Sequence, residues 1–290
     1  MPAIFILAIC SFVNGQERTF VSGKGNDASP CTRMAPCRTF QRGYNVVAAG
    51  GEVVALDAAG YGSLTISKSV TITGEGTYAG ITAASGDGIF IGSATAVVVL
   101  RNLSIYGLGT GINGIEVPAA ASLHIENCVI QGFASAGLFV TPSGNTDVQT
   151  FVKDTVMRDN NANFVTAGRA IFENCRFEKN GVGLDVRGAK ATVHNCVVAG
   201  NPVRGLSSSS TGGQIMVDSC QISGNGAGIV AEDNGQVRVS NSEITNNSVG
   251  LATATGGTIL SRATAAGASL TNTVEDNGSD GAFTGIYLAK

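Results

Sequence analysis

A short pattern recurs along this chain: glycine, an apolar residue, any residue, then a second apolar residue. It stands at Gly88-Ile89-Phe90-Ile91, Gly114-Ile115-Glu116-Val117, Gly137-Leu138-Phe139-Val140 and Gly183-Leu184-Asp185-Val186. It continues at Gly205-Leu206, Gly228-Ile229-Val230-Ala231, Gly250-Leu251 and Gly285-Ile286-Tyr287-Leu288, with Asn163-Phe164-Val165 filling the one gap. The key apolar residue falls at 89, 115, 138, 164, 184, 206, 229, 251 and 286, at intervals of 26, 23, 26, 20, 22, 23, 22 and 35. A period in the low twenties is the mark of a solenoid, because each repeat can bury its apolar side only against its neighbours.

A second motif runs in phase with the first. It reads Leu100-Arg101-Asn102-Leu103, Ile125-Glu126-Asn127-Cys128, Phe172-Glu173-Asn174-Cys175 and Val193-His194-Asn195-Cys196, with variants at Val152, Val217 and Val239. Each is followed by an alternating run and an Asn- or Gly-containing turn, which describes short strands rather than helices. Two to three strands per rung of about 22 residues, over about 9–10 coils, give an all-β, single-stranded parallel β-helix. The Leu-x-x-Leu-x-Leu frame of a leucine-rich repeat is absent.

Composition closes other routes. The 40 glycines lack a three-residue period, which excludes collagen, and 43% apolar residues argue against disorder. Charged residues make up only 13% of the chain with a net charge of −3 and no basic block, so nucleic acid is not an expected partner. Residues 1–15 carry the apolar stretch Ala3 to Ile9 before polar Asn14-Gly15 and read as a signal peptide, implying a secreted or periplasmic protein. No later run approaches the roughly 20 apolar residues of a membrane span.

Stacking in register turns repeated residues into ladders. Asn102, Asn127, Asn174, Asn195 and Asn241 are expected at a turn where asparagine tolerates left-handed backbone, bonding up the stack. Cys128, Cys175, Cys196 and Cys220 are expected in one inward column as small buried hydrophobes. Residues 16–51 form an N-terminal cap. Within it Cys31 and Cys37 are expected to pair in an exported chain, and Phe40, Tyr44, Val47 and Ala48 share one face of a capping helix ended by Gly50-Gly51. The β-helix occupies 52–290, starting with a strand over 52–57. It stops just after Gly285 to Leu288 without an evident cap, which makes that end a candidate for self-association.

The stretch PCRTFQRGYNVVAAGGEVVALDAAGYG, followed by Ile66-Ser67-Lys68-Ser69 and the repeats, resembles exported bacterial proteins of the pectin-lyase-like, right-handed parallel β-helix superfamily. The resemblance covers nearly the whole mature chain. It implies the fold closely and the chemistry poorly, since lyases, hydrolases, epimerases, adhesins and tailspikes share it. It also implies a site on the outer face of a sheet, where a polysaccharide or cell-surface glycan crosses the rungs.

Aligning the outward columns gives Arg101, Glu126, Lys153, Glu173, His194, Asp218, Ser240; then Ser104, Val129, Val156, Arg176, Val197, Gln221, Glu243; then Tyr106, Gln131, Arg158, Glu178, Ala199, Ser223, Thr245. Lys153, Arg158, Glu173, Arg176, Glu178 and His194 gather in three adjacent rungs and are the candidate catalytic residues. Uronate β-elimination would use Lys153 or His194 as base, with Arg158 and Arg176 neutralising the acid group. Glycoside hydrolysis would use Glu173 and Glu178. Alternating signs in one column also fit simple pairing between rungs. The acidic ligand cluster of calcium-dependent pectate lyases, the Asp-Pro-His of β-helix epimerases and the polygalacturonase acid pair are missing, so no cofactor is assigned and calcium is left open. Asp185 and Arg187 are expected to face outward on another sheet and pair locally, and His124 to be a solvated surface residue. The leading reading is an exported β-helix that binds, and in its enzyme version cleaves, an acidic or neutral polysaccharide. The alternative is a non-catalytic surface, adhesive or structural module.

Overall fold

A computed structural model describes residues 16–77, 79–142, 147–263 and 271–288; the signal-peptide expectation lies outside them. The chain follows a three-strand course that repeats rung after rung, as at Lys190–His194, Val197–Ala199 and Arg204–Ser209. These strands build three parallel sheets of twelve, nine and nine strands, stacked into a right-handed β-helix. The register matches the sequence columns: Glu126 pairs with Lys153, Lys153 with Glu173 and Glu173 with His194. Inward residues such as Leu100, Ile125, Val152, Phe172, Val193 and Val217 are essentially solvent-free and form one continuous core.

The repeated glycine is a matter of space. A Cβ on Gly183 would lie 2.4 Å from the carbonyl oxygen of Gly205, and one on Gly205 would lie 2.6 Å from that of Gly228. The backbone of one rung touches the next there, and only glycine permits it.

Two kinds of asparagine corner separate the sheets. Between the first and second, Asn102, Asn127, Asn174, Asn195 and Asn241 have φ of +48° to +55°. Asn127 donates to Asn102 at 2.8 Å and Asn195 to Asn174 at 2.7 Å, on the exposed edge. Between the second and third, Asn160, Asn180, Asn201, Asn225 and Asn247 are buried. Each accepts the backbone N–H of its counterpart one rung earlier; the Asn180 N–H reaches Asn201 Oδ1 at 2.9 Å, while Asn201 Nδ2 donates to the Phe177 carbonyl at 3.0 Å. These residues read in sequence only as turn formers. Cys128, Cys175, Cys196 and Cys220 are buried free thiols beside the first corner, and burial pushes Cys128 up to about 12.

The cap differs from expectation in its middle. The helix is Phe40–Val46, with Thr39 Oγ1 accepting from the Arg42 N–H at 3.1 Å. Val47 and Ala48 do not continue it; they open the strand Val47–Ala55, because this β-branched segment is recruited as a parallel neighbour of Gln16–Val21. Cys31 and Cys37 form a disulfide, both buried.

Two repeat positions also move. Phe164 pairs with Phe139 and Asp185, which are outward, so it is Asn163 that fills the inward place. The buried Asn163 amide fits there because it accepts from the Leu138 N–H at 3.0 Å and donates to the Gly183 carbonyl at 2.8 Å. Gly285–Leu288 joins the first sheet against Thr258–Ala263 rather than continuing the third. The interval of 35 before Ile286 already broke the period.

Candidate functional site

The six sequence candidates occupy two sheets. Lys153, Glu173 and His194 end successive strands of the first; Arg158, Arg176 and Glu178 lie round the asparagine corner on the second. All are engaged locally. Lys153 meets Glu173 at 3.4 Å, Arg176 Nε meets Glu178 at 2.8 Å, and Arg158 Nε donates to Gln131 at 2.9 Å. His194 Nδ1 lies 3.0 Å from Asp218. Burial works against ionisation of Asp218, yet hydrogen bonds from Ser240, Asn241 and Ser219 and the neighbouring His194 hold it below the usual carboxylate range. None of the six lines the cleft described below. His124 is half-buried and stacks on Phe151 with ring centroids 4.7 Å apart.

The third sheet carries a different surface. The unspecified position of the glycine repeat points outward, and in register it reads Phe90, Glu116, Phe139, Phe164, Asp185 and Ser207. Phe139 and Phe164 meet edge to face at 5.7 Å. The Arg187 guanidinium lies 4.5 Å over the Phe164 ring and donates through Nε to Asp185 at 2.7 Å. Asp185 is only 5% exposed and also accepts from Ser209 Oγ at 2.8 Å. The terminal amino groups of Arg187, whose side chain is half exposed, make no hydrogen bond among the described residues. A cleft of about 480 Å³ opens beside it, lined by Asp185, Arg187, Arg204, Glu232 and Asp233 among others. Arg204 is fixed in turn by Ser207 at 3.2 Å and by Glu232, with Nη2 to Oε2 at 3.1 Å.

At the other end of this row, Asn113 draws two carboxyl groups together. Its backbone N–H and Nδ2 both reach Asp87 at 3.1 Å, and Nδ2 reaches Glu116 at 3.2 Å. Burial first, then the hydrogen-bonded and charged Asp87, raises Glu116 above the usual carboxylate range. Among the described residues no three His, Cys, Asp or Glu side chains converge as metal ligands, and no helix is long and apolar enough to cross a membrane.

The sequence placed Asp185 and Arg187 correctly as an outward pair but missed the row they belong to. The signal was present: the open position of the glycine motif alternates with two apolar residues, so a strand period puts it outside.

A solenoid of three parallel sheets, with its side chains displayed in outward rows, defines the class as a right-handed parallel β-helix protein. The chain belongs to the family described as the right handed beta helix region, which matches residues 113–266. Among solved structures it resembles the pectate lyase Pel9A at 15% identity, with a TM-score of 0.66 over 92% of this chain and 79% of that one. A rhamnogalacturonan lyase matches at 13% identity (80% and 76% covered, TM-score 0.47), and a pectin methylesterase from Aspergillus niger at 13% (83% and 82%, 0.42). No curated protein matches the sequence. At such identities the likeness to Pel9A is one of fold.

Proposed function

We propose that this protein binds a polysaccharide along the outer face of its third sheet, and that the glycan is uncharged. The observation that carries this is the row Phe90, Glu116, Phe139, Phe164, Asp185 leading into the Arg187–Arg204 cleft. The half-buried Phe90 and Phe139 rings offer apolar surface for the C–H faces of sugar rings, while the Phe164 face carries the Arg187 guanidinium. Beyond them, guanidinium and carboxylate groups already locked by Asp185, Ser209 and Glu232 offer fixed donors and acceptors for hydroxyl groups.

Charge selects among glycans. Asp87, Glu116, Asp185, Glu232 and Asp233 outnumber Arg187 and Arg204, so the face repels a polyuronate and accepts a neutral chain. The cleft lining contains no lysine or histidine to serve as a ready base, which supports binding rather than elimination there.

Calorimetric titration with neutral glucan and galactan oligosaccharides and with oligogalacturonides tests the reading. A neutral oligosaccharide is expected to bind, and Arg187→Ala to weaken it about tenfold, the loss of one charge-assisted hydrogen-bonding group. Binding of oligogalacturonides alone, or of nothing in the panel, rejects it.

A second reading rests on His194. Its ring is oriented by Asp218 one rung on, beside the Lys153–Glu173 pair, in the manner of a carboxylate-held base. In that reading His194 or Lys153 takes the proton next to a uronate carboxyl group that Arg158 and Arg176 neutralise, or Glu173 and Glu178 hydrolyse a glycoside. Ultraviolet absorbance of unsaturated products from uronate polymers tests the elimination. Reducing-end release tests the hydrolysis.

A further inference from the structure

The outer face of the first sheet is a third surface, which shares only its Lys153–Asp218 edge with the His194 site. Down its middle column run Val99, His124, Phe151, Ile171, Thr192 and Met216 in continuous register. Phe151, Ile171 and Met216 are 37%, 42% and 44% exposed, an apolar stripe of a kind that isolated surface residues do not make. The two flanking columns differ in charge, one carrying adjacent cations and the other alternating in sign. Two residues before the stripe stand Gln149, Arg169, Lys190 and Gln214; two residues after it stand Lys153, Glu173, His194 and Asp218. Arg169 and Lys190 have no ion-pair partner among the described residues.

We propose that this face is a self-association surface, and that two copies of this chain pack through it side by side with their solenoid axes parallel. The charge pattern decides both the partner and the direction. A two-fold axis parallel to the solenoid keeps every rung at its own height while exchanging the two edges of the sheet. Phe151 then meets Phe151 of the second copy, Ile171 meets Ile171 and Met216 meets Met216. On each side of that seam Arg169 faces Glu173 of the other copy, and Lys190 faces the His194–Asp218 pair. The other two-fold, along the strands, reverses the solenoid and sets Arg169 and Lys190 of one copy against Lys190 and Arg169 of the next. Like charges across a desolvated seam disfavour that arrangement. Parallel strands in continuous register suit the face to aligned sheet-on-sheet contact at about 10 Å. The six rungs from Val99 to Met216, five residues each, offer roughly 480 Å² of face per copy before side-chain relief is counted, and Arg238 in the next rung marks the edge of the contact. The contact is therefore smaller than the standard specific interface of about 800 Å² per partner, and the dimer is a reversible one.

Sedimentation equilibrium on the full chain tests this, with thermal melts to confirm that each variant folds. The wild-type protein is expected to dimerise with a micromolar dissociation constant. Ile171→Glu is expected to weaken the dimer about 100-fold by placing two facing carboxylates in the seam. Arg169→Glu and Glu173→Arg are each expected to weaken it about tenfold, and the double variant to return to within about threefold of wild type. Residues 169 and 173 lie about 13 Å apart on one strand, so this rescue can arise only between copies. A wild-type monomer at up to about 1 mM, a larger closed oligomer, or no rescue in the double variant overturns the proposal.

Discussion

The two polar surfaces of this β-helix are built from similar residues to different ends. Around the exposed asparagine corner, Lys153, Glu173, Arg176, Glu178 and His194 satisfy one another or a neighbouring rung, and each pair is more than a third solvent-exposed on at least one side. Such pairs stabilise little, because water screens them and long side chains lose freedom in making them. On the third sheet, Asp185 is buried and holds Arg187 by one edge while Phe164 supports its face, leaving the far edge free. The difference is one of preorganisation rather than of charge count. A cluster that satisfies itself offers a ligand little, whereas a held group with an unused edge is ready for one.

The supporting corners follow the same division. The charged cluster straddles the exposed ladder of Asn174 and Asn195; the third sheet starts immediately after the buried ladder of Asn180 and Asn201. The face proposed to bind glycan thus follows the buried corner rather than the exposed one.

Substitutions on the two surfaces should differ in effect, and the largest is expected on the third sheet. Phe139→Ala combined with Phe164→Ala should lower affinity for a neutral oligosaccharide about 100-fold in calorimetry, about 1–1.5 kcal/mol per ring. Both rings are outward, so the fold should persist. The next largest effect separates the corners. Asn201→Ala removes the acceptor of the Asn180 N–H and the donor to the Phe177 carbonyl in a water-free site, and should cost about 2–3 kcal/mol in denaturant unfolding. Asn195→Gly, on the exposed edge and tolerant of the left-handed backbone there, should cost about 1 kcal/mol or less, since water replaces the lost partner.

A smaller effect concerns Glu116. Its folded carboxyl titrates above the ordinary value, so the folded state holds a proton that the unfolded chain has released. Stability therefore falls as pH rises from the usual carboxylate range through the raised value. Glu116→Gln should remove that slope and raise the melting temperature at neutral pH, and melts across the acid range check it. An unchanged slope would show that Glu116 is not its source. The smallest effect belongs to the other surface: His194→Ala should change stability by no more than about 0.5 kcal/mol and leave glycan affinity unaltered.

Much of this was legible in the sequence because a solenoid copies its register. Once Asn127, Asn174 and Asn195 are aligned, every neighbouring column follows, and the left-handed corner, the buried cysteines and the pairing of Lys153 with Glu173 come with it. What stayed hidden has physical causes. Asn180 and Asn201 sit in Asn-Gly and Asn-Pro contexts that spell a turn, and nothing local says that the turn is buried. Asn163 is polar at an apolar position because an amide can bridge two rungs as a backbone does, which shifted Phe164 inward in a reading based on hydrophobicity. The third-sheet row carries no dense charge, because rings and acids mix sparsely there and the holding contacts come from Arg187 and Ser209, one outward column along.

Glycan is expected on the third sheet and not on the residues 153–194 cluster. Amide chemical-shift mapping during titration with the neutral oligosaccharide that binds in calorimetry tests it most directly. The expected result is a continuous set of perturbed amides along Phe90, Glu116, Phe139, Phe164, Arg187 and Arg204, with Lys153, Glu173 and His194 silent. Perturbation centred on Lys153 to His194, with the Phe139–Arg187 row unmoved, would contradict it.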